Sequence, residues 1–359
     1  MPATAAVTAH VNAIGTAAPP HDIHDAFIAW AQSRVAGDEA RLFARMARRS
    51  GIGHRWSVLP PTREGLSPVS PGGFYAGAMP GTAARMGLYA DAAPTLSLAA
   101  VAALGERTDL NGISHLVVAS CTGFVAPGLD QIVAQRLGLP GSVERLLVGF
   151  MGCYAAVAAL RTARHLVRSE PAARVLVICC ELSTLHLQDT VALEPLLAML
   201  QFGDGAAAAL VTADPAGFAL GAPFAATLPD SDALIRWTIT DTGFAMHLSG
   251  EVPRRIADAL DDEAFRRTVT GGCGADAIDG WAVHAGGRSI LDAVEQSLAL
   301  PEDALTASRA VLADHGNMSS ATLMFVLERL LAGPPVTNGV ALAFGPGLAA
   351  EGFGFRSAS

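Results

Sequence analysis

Val148-Gly149-Phe150-Met151-Gly152-Cys153-Tyr154-Ala155-Ala156 is the stretch on which the reading of this chain turns. Ahead of it, Val143 to Val148 reads as a short buried strand. Behind it, from Tyr154 to Val167, Ala, Leu, Arg and His recur at helical spacing, so a helix starts at or just after Cys153. A cysteine at that junction sits where backbone N–H groups lack intrahelical partners, and the helix dipole favours a negative charge there. With an imidazolium nearby, such a thiol titrates at roughly 3.5–7.5 rather than about 8.5. A lone cysteine in this position is commonly no more than a small buried hydrophobe. The rest of the chain has to decide.

Working outward, Ile113 to Ala119 reads as a buried strand delivering Ser120-Cys121-Thr122-Gly123, and Asp130 to Leu137 as a helix ending at Gly138-Leu139-Pro140. Arg174 to Cys180 is a further strand, apolar after its first residue and therefore of the kind buried on both faces. Gln201-Phe202-Gly203-Asp204-Gly205-Ala206 marks a tight turn into the strand Ala207–Val211. The second half repeats this order. Trp281-Ala282-Val283-His284-Ala285-Gly286-Gly287 is a strand running into a Gly-rich turn and a helix, Arg288 to Leu298, which again ends at Leu300-Pro301. His315-Gly316-Asn317-Met318-Ser319-Ser320-Ala321 opens another helix, Thr322 to Ala332, and Gly339–Phe344 is the last strand. The spacing agrees, since 32 residues lead from Cys121 to Cys153 and 33 from His284 to Asn317. Two copies of one unit would set Cys121 and His284 at equivalent strand ends, and Cys153 and Asn317 at equivalent helix starts. Packed about a pseudo-twofold axis, all four converge on one cavity. The period is too long for a solenoid and implies duplication within one compact unit.

Cys, His and Asn in one pocket form a nucleophile set. Cys153 supplies a thiolate, His284 holds it as an ion pair, and the Asn317 amide with the His284 N–H stabilises an oxyanion. Alone, His284 would pass for a core residue and Asn317 for a helix cap. Their matching places in a duplicated frame argue otherwise.

Composition narrows the chemistry. The 359 residues are 51% hydrophobic, enough for a large core. The division expected is 1–215 for the half carrying the cysteine and 216–359 for the half carrying His and Asn. Every basic residue is Arg, with no Lys at all, which removes Schiff-base chemistry, lysine-anchored pyridoxal phosphate and a Walker A loop. A net charge of −9 argues against nucleic acid as a partner. The five cysteines show no CxxC pair or zinc spacing, so no metal is expected. Apolar runs are interrupted before the ~18 residues a membrane span needs, Met1 to Pro20 carries no basic residue, and a cytoplasmic location is expected.

Other segments are plainer. Residues 5–14 read as a strand, Asp22 to Ala36 as an amphipathic helix, Leu42 to Ser50 as a second helix, and Ala92 to Gly105 as a third with Pro94 in its first turn. Arg41, Arg45 and Arg48 lie on one face, which suits either a solvated surface or a phosphate-bearing ligand. Residues 57–84, rich in Pro and Gly, read as an ordered excursion.

With these motifs in hand, the chain resembles bacterial-type type III polyketide synthases, the chalcone-synthase-like branch of the thiolase-fold condensing enzymes. The likeness runs from Ile14-Gly15-Thr16-Ala17-Ala18-Pro19-Pro20 to Phe344-Gly345-Pro346-Gly347, through the Cys153, Phe202-Gly203-Asp204-Gly205-Ala206, His284 and Asn317 motifs in order. It implies an α/β thiolase-like fold, a duplicated αβαβα five-layer core of pseudo-twofold halves. It also implies a triad of Cys153, His284 and Asn317. Phe202 matches an aromatic gatekeeper, and the second gatekeeper position holds Met246 in place of Phe. Cavity positions fall at Cys121, Ala126, Ser183, His186, Ser319, Gly345 and Pro346. Arg45 and Arg49 match positions that hold CoA phosphates, with Arg41 beside the third, which is Leu42. By this likeness an acyl-CoA starter is loaded on Cys153 and extended by decarboxylative condensation with malonyl-CoA in a homodimer. CoA thioesters are the substrates, and no cofactor is implied. An alkylpyrone or alkylresorcinol is the product class expected. The rivals are a ketoacyl-ACP synthase III-like enzyme making one condensation, a cysteine hydrolase, and a non-catalytic acyl-binding protein.

Overall fold

A computed structural model of the chain describes residues 7–62 and 67–358. The first half runs β1 (His10–Ala17), β2 (His21–Asp22), α1 (His24–Arg34), α2 (Gly37–Arg49), β3 (Trp56–Ser57), α3 (Thr82–Gly105), β4 (His115–Ser120), α4 (Leu129–Arg136), β5 (Glu144–Gly149), α5 (Ala155–Ser169), β6 (Val175–Leu182), α6 (Leu193–Met199) and β7 (Asp204–Thr212). The second runs β8 (Phe218–Thr227), β9 (Ile235–Thr240), β10 (Gly243–Leu248), α7 (Val252–Asp261), α8 (Glu263–Val269), β11 (Gly280–Val283), α9 (Arg288–Ser297), α10 (Thr306–His315), α11 (Ser320–Leu331), β12 (Gly339–Gly345) and β13 (Ala349–Ser357).

Strands that are apolar on both faces serve two cores at once. In β6, Val175, Val177 and Cys179 enter one cluster, while Leu176, Ile178 and Cys180 enter another. In β12, Ala341 and Ala343 enter that same first cluster, while Val340, Leu342 and Phe344 enter a third. The shared cluster is the centre of the molecule. It takes Ala155–Val157 and Leu160 of α5 and Ala321 and Leu323–Leu327 of α11, two helices sandwiched between sheet halves. All eight residues from Ser320 to Leu327 are buried, so α11 has no solvent face over that length. Helix α3 covers the outer face of one half, and α7 with α9 covers that of the other. These are the five layers expected.

The duplication is equally direct. The strand order is β11-β12-β13-β8-β1-β7-β6-β4-β5, so β4-β6-β7-β1 is mirrored by β11-β12-β13-β8 about the centre. Pair directions match as well, parallel for β4/β6 and β11/β12, and antiparallel for the remaining pairs of each set. The halves join where β1 meets β8 at only two residue pairs, His10↔Ala219 and Val11↔Phe218. Strand β5 has no counterpart, and α10 occupies its place in the chain.

Several expectations change. Of the strand placed at 5–14, residues 5 and 6 lie outside the described residues. The strand itself starts at His10 and continues through Gly15–Ala17, which pair with Ala206–Ala208 of β7. Helix α3 starts ten residues earlier than expected and carries Pro94 in its interior, because packing of its buried face against β1 and β7 outweighs the lost hydrogen bond. By length and composition α3 would also cross a membrane, contrary to the reading of interrupted runs; here it covers the sheet. Strand β5 is exposed, not buried. It lies at the sheet edge, with Leu146 and Leu147 uncovered.

Candidate active site

After β5 the chain makes a single helical turn, Gly152–Tyr154, that opens α5 and carries Cys153. Gly152 has φ +70°, and a Cβ there would stand 2.5 Å from Cδ of Pro346, so only glycine fits between the turn and the end of β12. Gly345 lies against the same turn, where an added Cβ would come within 3.3 Å of the Cys153 N. The loop Phe344–Gly347 thus forms the floor beneath Cys153.

His284 follows β11 directly, as Cys121 follows β4, and its N–H donates to Leu342 O of β12 (2.8 Å). Neither ring nitrogen has a partner among the described residues. Asn317 sits between α10 and α11. Its Nδ2 donates to Gly286 O (3.2 Å), two residues past His284, and its Oδ1 accepts from Ser319 N (2.8 Å). Ser319 caps α11 at φ +48°, and its hydroxyl lies 3.3 Å from Cys121 Sγ. Burial pushes the Cys153 thiol up to about 12, while hydrogen bonds toward the sulfur from Ser319 and Asn317 work the other way. Cys121, Cys153, Asn317 and Ser319 therefore meet at one buried point, and the Asn317 amide reaches the carbonyl of Gly286, which lies against the His284 ring.

Burial also lowers His284 to about 3. It therefore favours neutral thiol and neutral imidazole over the expected resting ion pair. The physical reason is loss of water from both groups, with no carboxylate among the described residues set against His284 to offset it.

Asn317 is held from behind by the Phe202 turn. Gly203 N donates to Asn317 O (3.0 Å), and Asn317 N donates to Gln201 O (2.8 Å). A Cβ on Gly205 would stand 2.3 Å from Met318 Sδ, and one on Gly203 2.7 Å from His315 O, so the two glycines allow this contact. Asp204 between them is structural. Its carboxyl accepts from the N–H groups of Val58 (2.9 Å) and Thr184 (2.8 Å), and burial raises it to about 7.

Phe202, Met246, Ser183 and His186 line an adjoining apolar pocket with Ile23, Phe27, Tyr75, Trp237 and Phe244. His186 there is fully bonded, since its Nε2 donates to Thr122 O (2.6 Å) and its Nδ1 accepts from Phe244 N (3.1 Å). Burial holds its pKa near 4, and its ring stacks on Phe244 at 4.2 Å. Of the expected cavity positions, Cys121, Ser319, Gly345 and Pro346 are outside this pocket's lining, as is Ala126. It stands exposed in the loop after β4, beside a cis bond to Pro127. Arg45 and Arg49 are exposed on α2 without ion-pair partners among the described residues, whereas Arg41 is paired with Asp38. No group of side chains suited to a metal ion occurs among the described residues.

Three residues escaped the sequence reading. Glu181 is wholly buried and accepts from Cys121 N (3.0 Å), Thr122 Oγ1 (2.8 Å) and Ser320 Oγ. Burial raises its carboxyl against these hydrogen bonds. A single acid ending an apolar strand was the available signal. Trp237 and Phe244, on the β9–β10 hairpin, gave none.

The family model described as "Chalcone and stilbene synthases, N-terminal domain" matches residues 1–215, and its C-terminal counterpart matches residues 221–359. Among solved structures, PKS-I from the brown alga Ectocarpus siliculosus is similar at 28% identity and TM-score 0.87, covering 99% of this chain and 100% of that one. The C-terminal type III polyketide synthase domain of Steely1, a type I/III hybrid from Dictyostelium, is similar at 25% identity and TM-score 0.87, covering 98% and 100%.

Proposed function

Since the chain belongs to the chalcone and stilbene synthase family and is a type III polyketide synthase, an acyltransferase, we propose that Cys153, His284 and Asn317 are its condensing triad. The observation that carries this is the meeting of Cys153, Asn317 and Ser319 around one sulfur, with the unpartnered His284 ring alongside. In the first step the Cys153 thiol attacks an acyl-CoA carbonyl. Its proton passes to His284, and CoA leaves. In the second, the C–C bond to the malonyl carboxylate breaks and CO2 departs. The electron pair stays as a thioester enolate, its oxygen facing the His284 N–H and the Asn317 Nδ2–H. The enolate carbon attacks the acyl-Cys153 carbonyl, Cys153 leaves as thiolate, and the lengthened chain returns to it for another round. Arg45 and Arg49, with Arg41, hold CoA phosphates at the surface. The enzyme acts in the cytoplasm. Counting malonyl-CoA consumed per starter by product mass spectrometry tests the reading. More than one per starter supports it, and one or none would overturn it.

The starter we infer is a medium to long acyl-CoA, extended two or three times to an alkylpyrone or alkylresorcinol. The support is the apolar lining beyond Phe202 and Met246, formed by Ile23, Phe27, Leu59, Val69 and Met199. Burying each CH2 contributes about 0.8 kcal/mol, so kcat/KM for lauroyl-CoA is expected to exceed that for hexanoyl-CoA roughly tenfold or more. Met246→Phe should erode the lauroyl rate most, since a rigid ring replaces an adaptable thioether. A preference for p-coumaroyl-CoA would overturn the assignment.

We also propose a homodimer built on β5. Its outer edge is unpaired, and Leu146, Leu147, Phe124 and Phe150 are exposed in this region. Such an edge invites antiparallel pairing with its own copy, with Val125-Ala126-Pro127 near the partner's cavity. Light scattering should return twice 36.8 kDa, and the single-chain mass would refute it.

A further inference from the structure

Arg55 is among the largest wholly buried side chains, 1% exposed, and no ion pair includes it among the described residues. Its Nε donates to His24 Nδ1 (3.0 Å), and its Nη1 donates to both Met199 O and Phe202 O (2.9 Å each). The guanidinium lies over the Phe27 ring, 4.5 Å from its centroid, and Nη2 has no acceptor among the described residues. Asp22 and Asp204 favour its charge from nearby, but neither forms an ion pair with the guanidinium among the described residues; a buried cation so weakly compensated is a poor way to gain stability, since an apolar side chain of similar size would avoid the loss of water. What the charge does hold is specific. Phe202 belongs to the segment 201–203, which exchanges both backbone hydrogen bonds with Asn317. The Arg55 stem also lies along Gly316, where an added Cβ would meet its Cγ at 2.9 Å. The same side chain therefore touches the residue before Asn317 and the strand-like segment behind it.

We propose that Arg55 is a positioning residue for decarboxylation. By clamping the Met199 and Phe202 carbonyls it sets the 201–203 segment, and through it the direction in which Asn317 presents its amide. Arg55 touches no reacting atom. His24 completes the clamp as an acceptor and must be neutral to do so, which burial and the adjacent Arg55 charge ensure by holding its pKa near 4. The inference rests on the role proposed above for Asn317.

The test is Arg55→Met, which keeps bulk and removes the donors. Starter loading, read as added mass on Cys153, should stay within about threefold of the parent, because the thiol is carried by a different turn. Malonyl-CoA decarboxylation should fall roughly a hundredfold in kcat with KM little changed, the scale expected for misplacing a catalytic group by about 1 Å. Arg55→Lys, which can still reach one carbonyl, should recover part of that loss. His24→Leu, which removes only the Nε acceptor, should lose decarboxylation in the same selective manner but less. Equal losses of loading and decarboxylation, or unimpaired decarboxylation in folded Arg55→Met, would overturn the proposal. If Arg55→Met does not fold, Arg55→Lys and His24→Leu carry the same comparison, and parallel losses there overturn it equally. A parent enzyme that loads starter but never decarboxylates malonyl-CoA would instead sink the condensing assignment of the whole site.

Discussion

Cys153→Ala should abolish product formation, with kcat/KM falling by roughly four orders of magnitude or more and no acyl group appearing on the intact protein. Two thiols lie beside Ser319, so the choice between them has to be argued. Cys153 stands on the turn opening α5, where unpaired N–H groups and the helix dipole favour the thiolate that forms during transfer. Cys121 is wholly enclosed between Glu181 Oε2 (3.5 Å) and Ser319 Oγ (3.3 Å), and burial first, then the adjacent buried carboxyl, disfavour its ionisation. Cys121→Ala should therefore keep the acyl adduct and chiefly change product length, because it widens the cavity without touching the nucleophile. An inactive Cys121→Ala beside an active Cys153→Ala would reverse the assignment. Intact-protein mass spectrometry after incubation with acyl-CoA makes the comparison directly.

Much of this was legible from strand ends and spacings. The nearly equal intervals from Cys121 to Cys153 and from His284 to Asn317 reflect one unit used twice, and β4 and β11 do end immediately before Cys121 and His284. The repeat conceals one difference. Where the first copy has β5, the second has α10, so the spacing agrees to one residue although the intervening element differs. Local pattern failed where long-range packing decides. The α3 start at Thr82 and its internal Pro94 depend on partners distant in sequence, and the exposure of β5 depends on its place in the sheet. The thiolate expected at Cys153 draws on the helix start and a nearby imidazolium; burial of both sulfur and imidazole, which depends on packing distant in sequence, works against that charge separation. Arg55 was invisible for a related reason. Its acceptors, Met199 and Phe202, are backbone carbonyls far along the chain, and a sequence pattern carries no trace of them.

Asn317→Ala should separate the two half-reactions. Loading needs a nucleophile and a base, the roles proposed for Cys153 and His284, so a starter adduct should still form on Cys153. Decarboxylation places negative charge on the malonyl thioester oxygen, where loss of one of two donors is expected to cost about 2.7–4 kcal/mol, or roughly 10²–10³ in rate. The substitution also frees Ser319 N and Gly286 O, the present partners of the Asn317 side chain. Asn317→Asp is the necessary companion because it keeps an acceptor for Ser319 N. It cannot donate when ionised and would set a negative charge beside the enolate. It should therefore decarboxylate no better than Asn317→Ala while retaining the backbone arrangement, and its thermal midpoint should lie closer to that of the parent. Loss of loading with decarboxylation intact, in either variant, would remove Asn317 from the role assigned to it. The selective loss expected here should also exceed that of Arg55→Met, because in the proposed mechanism the amide meets the enolate directly and Arg55 acts only through the backbone that aims it.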